Sequence, residues 1–264
     1  MHAVGTAGSA RDDGDRVSTL DLRGAAREAM PVLGVSEALR GAALATWHAR
    51  MINEYASHEV FLELAEQLAA CGFGEEARLA CVGFADEERL HGVLCGAVVE
   101  ALGGEATATL LQRDLFPQHM DAPTRARALR NIISVCCMSE TVAVSLIGAE
   151  RLEMPRSPLR DLLTTIYADE VGHARFGWRL LGEVAADLSA EERDAIDRYL
   201  PVALSHLVAH ELAHLPARHA PSGGETLGLC SGLDARVLLF DTISQVIVPQ
   251  LDALGFKASL ARAA

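Results

Sequence analysis

Apolar residues recur every three or four positions along most of this chain, in long blocks separated by glycine and proline. The pattern predicts a first long helix from Ser36, read as its N-cap, to about Ala70, closed by Gly72. Its inward stripe is Trp47, Met51, Glu54, Ser57 or His58, Phe61, Leu64 and Leu68. A second helix over about 75–102 stops at Gly103-Gly104, with Cys81, Phe84, Glu88, His91, Cys95 and Val98 in line. A third starts at Asp121 and Pro123 and runs to about Met154, through Ile133, Cys136 or Cys137, Glu140, Ala143 or Val144, and Ile147. A fourth, about 158–187, carries Leu163, Tyr167, Glu170, His173, Gly177 and Leu180. Each apolar stripe is thus broken by a glutamate near its middle.

The stretch 104–121 contains Pro117 and has little periodicity. It is long enough to travel the length of a bundle, which predicts that the second and third helices run parallel. Ser189 and Glu192 fit a capping box for a fifth helix to about Leu215, and a sixth covers about 233–254. These last helices are expected outside the bundle or at an oligomer contact. Residues 1–18 are rich in Gly, Ser and Asp and are expected to be disordered, with a short helix over 19–30 before Pro31. The expected fold class is therefore all-α. Its parts are a flexible N-terminal segment (1–35), a four-helix bundle (36–187) and a C-terminal helical extension (188–264). The halves 36–102 and 122–187 read as a degenerate duplication.

Composition agrees, with half the residues apolar but only 5% aromatic, a mixture that favours helices. The net charge of −13 and the shortness of the basic patches argue against a nucleic-acid partner. Six cysteines form no C-x-x-C pair, which suggests reduced thiols and a cytoplasmic protein. The amino terminus does not resemble a signal peptide, and no run approaches the ~20 apolar residues of a membrane span, so no membrane association is expected.

The chemistry lies in the glutamates. Glu88 and His91, and again Glu170 and His173, stand three apart and share a helix face. Glu-x-x-His alone is a weak pattern, and Glu211 with His214 matches it too. Only the first two pairs have a lone glutamate on an upstream helix: Glu54 lies 34 residues before Glu88, and Glu140 lies 30 before Glu170. Buried carboxylates without cations cost several kcal/mol or titrate to neutral. One turn away, Arg50 beside Glu54 is the exception to a general lack of cations. Two divalent ions would supply the missing charge, and a carboxylate-rich set suits iron or manganese better than zinc. Glu87 and Asp169, each just before a ligand glutamate, are placed to accept the second ring N–H of a ligating histidine.

The order Glu, E-x-x-H, Glu, E-x-x-H resembles the ferritin-like superfamily of di-iron carboxylate proteins over about 36–187. The stretches E-Y-A-S-H-E-V-F and A-D-E-V-G-H-A-R-F-G-W are further similar to a poorly characterised bacterial group of ferritin-like domain proteins. The resemblance implies one metal at Glu54, Glu88 and His91 and another at Glu140, Glu170 and His173, with Glu88 and Glu170 bridging. It implies two irons, with Mn/Fe or Mn/Mn as alternatives. The chain departs from better-known relatives. Cys95 stands where ribonucleotide reductase small subunits carry a radical tyrosine. Ile166 stands where arylamine N-oxygenases carry an additional histidine, and rubredoxin-type paired cysteines are missing.

The expected function is an O2-dependent oxidase or oxygenase that attacks a C–H or N–H group of a small molecule, with electrons from an external donor. The alternatives are rubrerythrin- or ferritin-like peroxide or iron handling, and a non-catalytic scaffold braced by metal. Oligomeric state stays open, a homodimer being common in the superfamily. Cys95, Cys136, Cys137, Tyr167 and His58 are candidate pocket or redox residues, each with a plainer reading as core or pocket lining. Gly177 and Ala143 would leave room for a substrate or simply permit close packing. His206, His210 and His214 form a further stripe, read first as an exposed face.

Overall fold

The structure is a computed structural model, and it describes residues 18–110 and 116–263. The long helices form where the periodicity places them. They are α2 (Glu37–Ala70), α3 (Gly74–Ala101), α4 (Thr124–Glu153), α5 (Pro158–Ala185) and α6 (Ala190–His214). The turn after α2 closes through Gly72, whose φ of 83° suits a residue without a Cβ. Ser36 occupies the N-cap of α2 with extended backbone but makes no side-chain cap. Ser157 caps α5, and Ser189 with Glu192 closes the expected capping box on α6.

Helix directions follow from side-chain pairs. Glu87 meets His173 and Asp169 meets His91, in opposite order along α3 and α5, so those two helices are antiparallel. The short turn between α4 and α5 makes that pair antiparallel as well, which leaves α3 and α4 parallel, as the long crossover requires. Arg50–Glu150 and Gln67–Asn131 tie α2 to α4, also antiparallel.

Three features differ from the sequence reading. Residues 1–17 of the segment expected to be flexible lie outside the described residues, but from residue 18 the chain is ordered. β1 (Ser18–Asp21) pairs antiparallel with β2 (Thr107–Leu110) in the crossover, and α1 (Arg23–Glu28) packs on α3. Four-residue strands leave too short an alternation to read. Within α4 the segment Ile133–Ser139 is a π-helix that ends one residue before Glu140, and no residue there signals the wider turn. Finally, α4 is long and apolar enough to cross a membrane by length and composition alone. Its residues Ile132, Ile133, Cys136, Cys137 and Met138 are fully buried in the protein, as in a core helix that is apolar on most faces.

The C-terminal part continues through a short turn (Gly224–Leu227) into α7 and α8. α7 runs through Gly232–Thr242, a π segment Ile243–Ile247 and Val248–Ala253, and α8 is Ala258–Ala263. Two apolar clusters fill the interior. One holds Phe61, Cys81, Ile133 and Phe176, the other Trp47, Met51, Cys95, Leu163 and Ile166. The chain passes from one cluster to the other at Glu54, at Glu88–His91 and at Glu170–His173. An acidic layer therefore separates two oily ones.

Candidate metal centre

In that layer the four glutamates and two histidines converge. Glu54, Glu88, His91 and Glu170 bring one ligand atom each within 4.8 Å of one another, and so do Glu88, Glu140, Glu170 and His173. Glu88 and Glu170 belong to both groups and lie between them. Nδ1 of His91 is 3.8 Å from Glu54 and from Glu88 and 3.5 Å from Glu170. Nδ1 of His173 is 3.2 Å from Glu88, 3.3 Å from Glu170 and 3.9 Å from Glu140.

The opposite ring nitrogens are held from behind. Nε2 of His91 lies 3.0 Å from Asp169 Oδ2, and Nε2 of His173 lies 2.8 Å from Glu87 Oε2. Each acid thus serves the histidine of the other half. An Nε2–H donated outward fixes the tautomer that leaves the Nδ1 lone pair pointing into the layer.

Glu88, Glu170 and both histidines are buried, while Glu54 is partly exposed. Both Nδ1 atoms and one oxygen each of Glu88 and Glu170 are buried without a hydrogen-bond partner. Each such atom costs about 1–3 kcal/mol if nothing satisfies it. Four inward orphans, all lone-pair donors, fit a cation better than any neutral ligand.

Without cations the layer must hold protons. Burial raises the Glu54 carboxyl well above its ordinary value, and the charges of Glu88 and Glu170 raise it further. Glu170 is raised likewise by burial and by Glu140 and Glu88. Burial depresses the imidazoles, but the surrounding carboxylates outweigh it, lifting His91 to about 9 and His173 higher still. Burial also works against the Glu88 carboxylate, yet the protonated imidazoles of His173 and His91 close beside it bring it down to about 2.

The two ends of the layer differ. Phe61 and Phe84 pack on the His173 ring at centroid distances of 5.1 and 4.5 Å, closing that side with aromatic carbon. Glu54 instead borders a cavity of about 430 Å³, whose apolar wall includes Leu146, Ile147, Leu163 and Ile166. The C-terminal part, expected outside the bundle, supplies Leu215, Cys230 and Leu238 to the same cavity.

Other candidates fall elsewhere. His58 is not at the layer, because its Nδ1 donates to the Ala85 carbonyl at 2.7 Å. Tyr167 also misses it. Its ring lies against Gly148 with the Arg151 guanidinium 4.8 Å above, since Ile166 takes the inward position. Cys95 borders the cavity, and its thiol is pushed well up by burial and by Glu54. Cys136 packs on Gly177, so that glycine permits close helix packing rather than leaving space, whereas Ala143 does line the cavity. Burial alone raises Cys137 within the core. His206, His210 and His214 are exposed.

Sequence reasoning missed Glu150. It is 5% exposed and takes Arg50 as its partner, so the cation near Glu54 is already engaged. Its apolar neighbours in α4 gave it the same appearance as Glu140, but no E-x-x-H pair pointed to it.

No family model and no curated protein matches this chain. A solved structure does. It is a Synechococcus protein described as having aldehyde deformylating oxidase activity, with a TM-score of 0.53 and 17% identity. The match covers 92% of this chain and 98% of that one. The fold is that of a ferritin-like helical bundle. At that identity the likeness speaks for the fold, and the buried Glu/His layer is what speaks for a metal.

Proposed function

We propose that the chain is a non-haem di-iron oxidoreductase, an O2-dependent oxidase or oxygenase that oxidises a C–H or N–H group of a small organic molecule. The cavity beside Glu54 carries this reading, because it gives an apolar molecule access to one edge of the acidic layer. A metal that merely braced the bundle would need no such space, and iron or peroxide handling would leave its apolar wall without a role. The aldehyde deformylating oxidase activity of the Synechococcus protein supports the oxidase class.

Glu54, Glu88 and His91 would hold one iron and Glu140, Glu170 and His173 the other, with Glu88 and Glu170 shared. When bound, two irons supply O2 binding and redox chemistry fed by an external electron donor. The chain's own residues do the rest. Asp169 and Glu87 keep the Nε2 protons of His91 and His173 and so aim both Nδ1 lone pairs inward. Phe61 and Phe84 exclude water at His173, and the cavity receives the substrate at Glu54. The test is to load the protein with ferrous iron without oxygen, admit O2, and follow visible absorbance and O2 uptake. A transient band with O2 consumption at two irons per chain is expected. Rapid peroxide turnover or many irons per chain would favour iron or peroxide handling instead.

A further inference from the structure

We propose that the cavity beside Glu54 accepts an amphipathic amine and that Glu150 binds its nitrogen. This rests on the oxidase reading only in calling that molecule the substrate.

The body of the cavity is hydrocarbon, from Leu146, Ile147, Leu163, Ile166 and Leu238, and its volume lies in the range of small-molecule sites. Its polar lining is lopsided. Apart from Glu54, it contains Glu150, Glu153, Glu211 and Asp234 against a single cation, Arg50. Burial holds the Glu211 carboxyl above the ordinary range, which still leaves three acids facing one guanidinium.

That guanidinium is already committed. It pairs with Glu150 Oε2 and lies 4.9 Å over the Trp47 ring. The second oxygen of Glu150, Oε1, is buried and has no hydrogen-bond partner among the described residues. The nearby Cys230 thiol, raised to about 12 by burial and by the charge of Glu150, is a neutral and weak donor at best. Oε1 lies against Gly228, where φ is 74° and a Cβ would stand 2.6 Å from that oxygen, so a glycine is what lets the carboxylate sit here. A carboxylate ligand entering here would have to displace Glu150 from Arg50 and would meet the other acids. A protonated amine would give Oε1 the donor it lacks, with its charge opposed to the lining and its alkyl part against the leucine wall.

The experiment is calorimetric binding of n-octylamine, 1-octanol and octanoate to the full-length protein, with and without Glu150→Gln. Octylamine is expected to bind at least about ten-fold tighter than either analogue, the gain of a charge-assisted hydrogen bond. In Glu150→Gln that preference is lost while octanol binding, which reports an intact cavity, is kept. Octanoate or octanol binding as tightly as octylamine to the unsubstituted protein overturns the proposal whether or not the variant folds. So does a variant that keeps the amine preference. Because binding is read without turnover, a protein that binds octylamine yet fails to react with O2 when loaded with ferrous iron would refute the oxidase reading and leave the amine site standing.

Discussion

Asp169, the residue before Glu170 on α5, lies 3.0 Å from Nε2 of His91 on α3. Together with the reciprocal pair of Glu87 and His173, it stitches the two halves of the bundle across the layer. The same contact fixes which nitrogen of His91 is free to bind. Asp169→Asn replaces the acceptor with an amide that can turn its NH2 towards Nε2. Metal affinity, measured by competition with a chromophoric chelator, should fall about 10–100-fold. The helical circular dichroism should be unchanged, because the Asp169 side chain is 29% exposed and bears little packing. Unchanged affinity would show that the contact does not orient the ring.

The metal-free centre depends on protons, which sets the sign of its pH response. His91 is lifted from 6.5 to about 9 in the folded chain, so its contribution is fully present below 6.5 and is lost as pH rises through about 9. Glu54 and Glu170, also raised, contribute in the same direction. The metal-free protein should therefore melt at progressively lower temperature across that window. The metal-loaded protein should not, because cations replace the protons, and loading should release protons measurable in buffers of different ionisation enthalpy. Parallel melting curves for the two forms would contradict this.

Close approach of α4 and α5 makes Gly177 sensitive. A Cβ there would stand 2.3 Å from Cys136 Cβ and 3.1 Å from the Cys136 carbonyl carbon. Gly177→Ala should destabilise the protein by about 1–3 kcal/mol, read from the urea midpoint, as overpacking does. Cys136→Ser, which adds no atom, should not reproduce the clash.

Much of this was legible in the chain, and the misses have physical reasons. Glu88–His91 and Glu170–His173 could be found because an i, i+3 spacing survives any small error in helical phase. Tyr167 and His58 could not be settled, because each sits on the border of its stripe, where one residue of phase decides between inside and outside. The π segment before Glu140 changes the phase of α4, so that Cys136 and Cys137 are both buried although the sequence offered them as alternatives. Arg50 was visible one turn from Glu54, but its partner is Glu150, a contact between helices 100 residues apart that periodicity does not encode. The cavity walls from the C-terminal part were invisible for the same reason.

Glu88 belongs to both groups of ligand atoms, so a single substitution there bears on the whole centre. The decisive measurement is iron per chain, by metal analysis after anaerobic loading and desalting, in the unsubstituted protein and in Glu88→Ala. Two irons in the first and no stoichiometric pair in the second is the predicted result. A Glu88→Ala protein that still carries two irons would contradict the shared-carboxylate centre on which the rest depends.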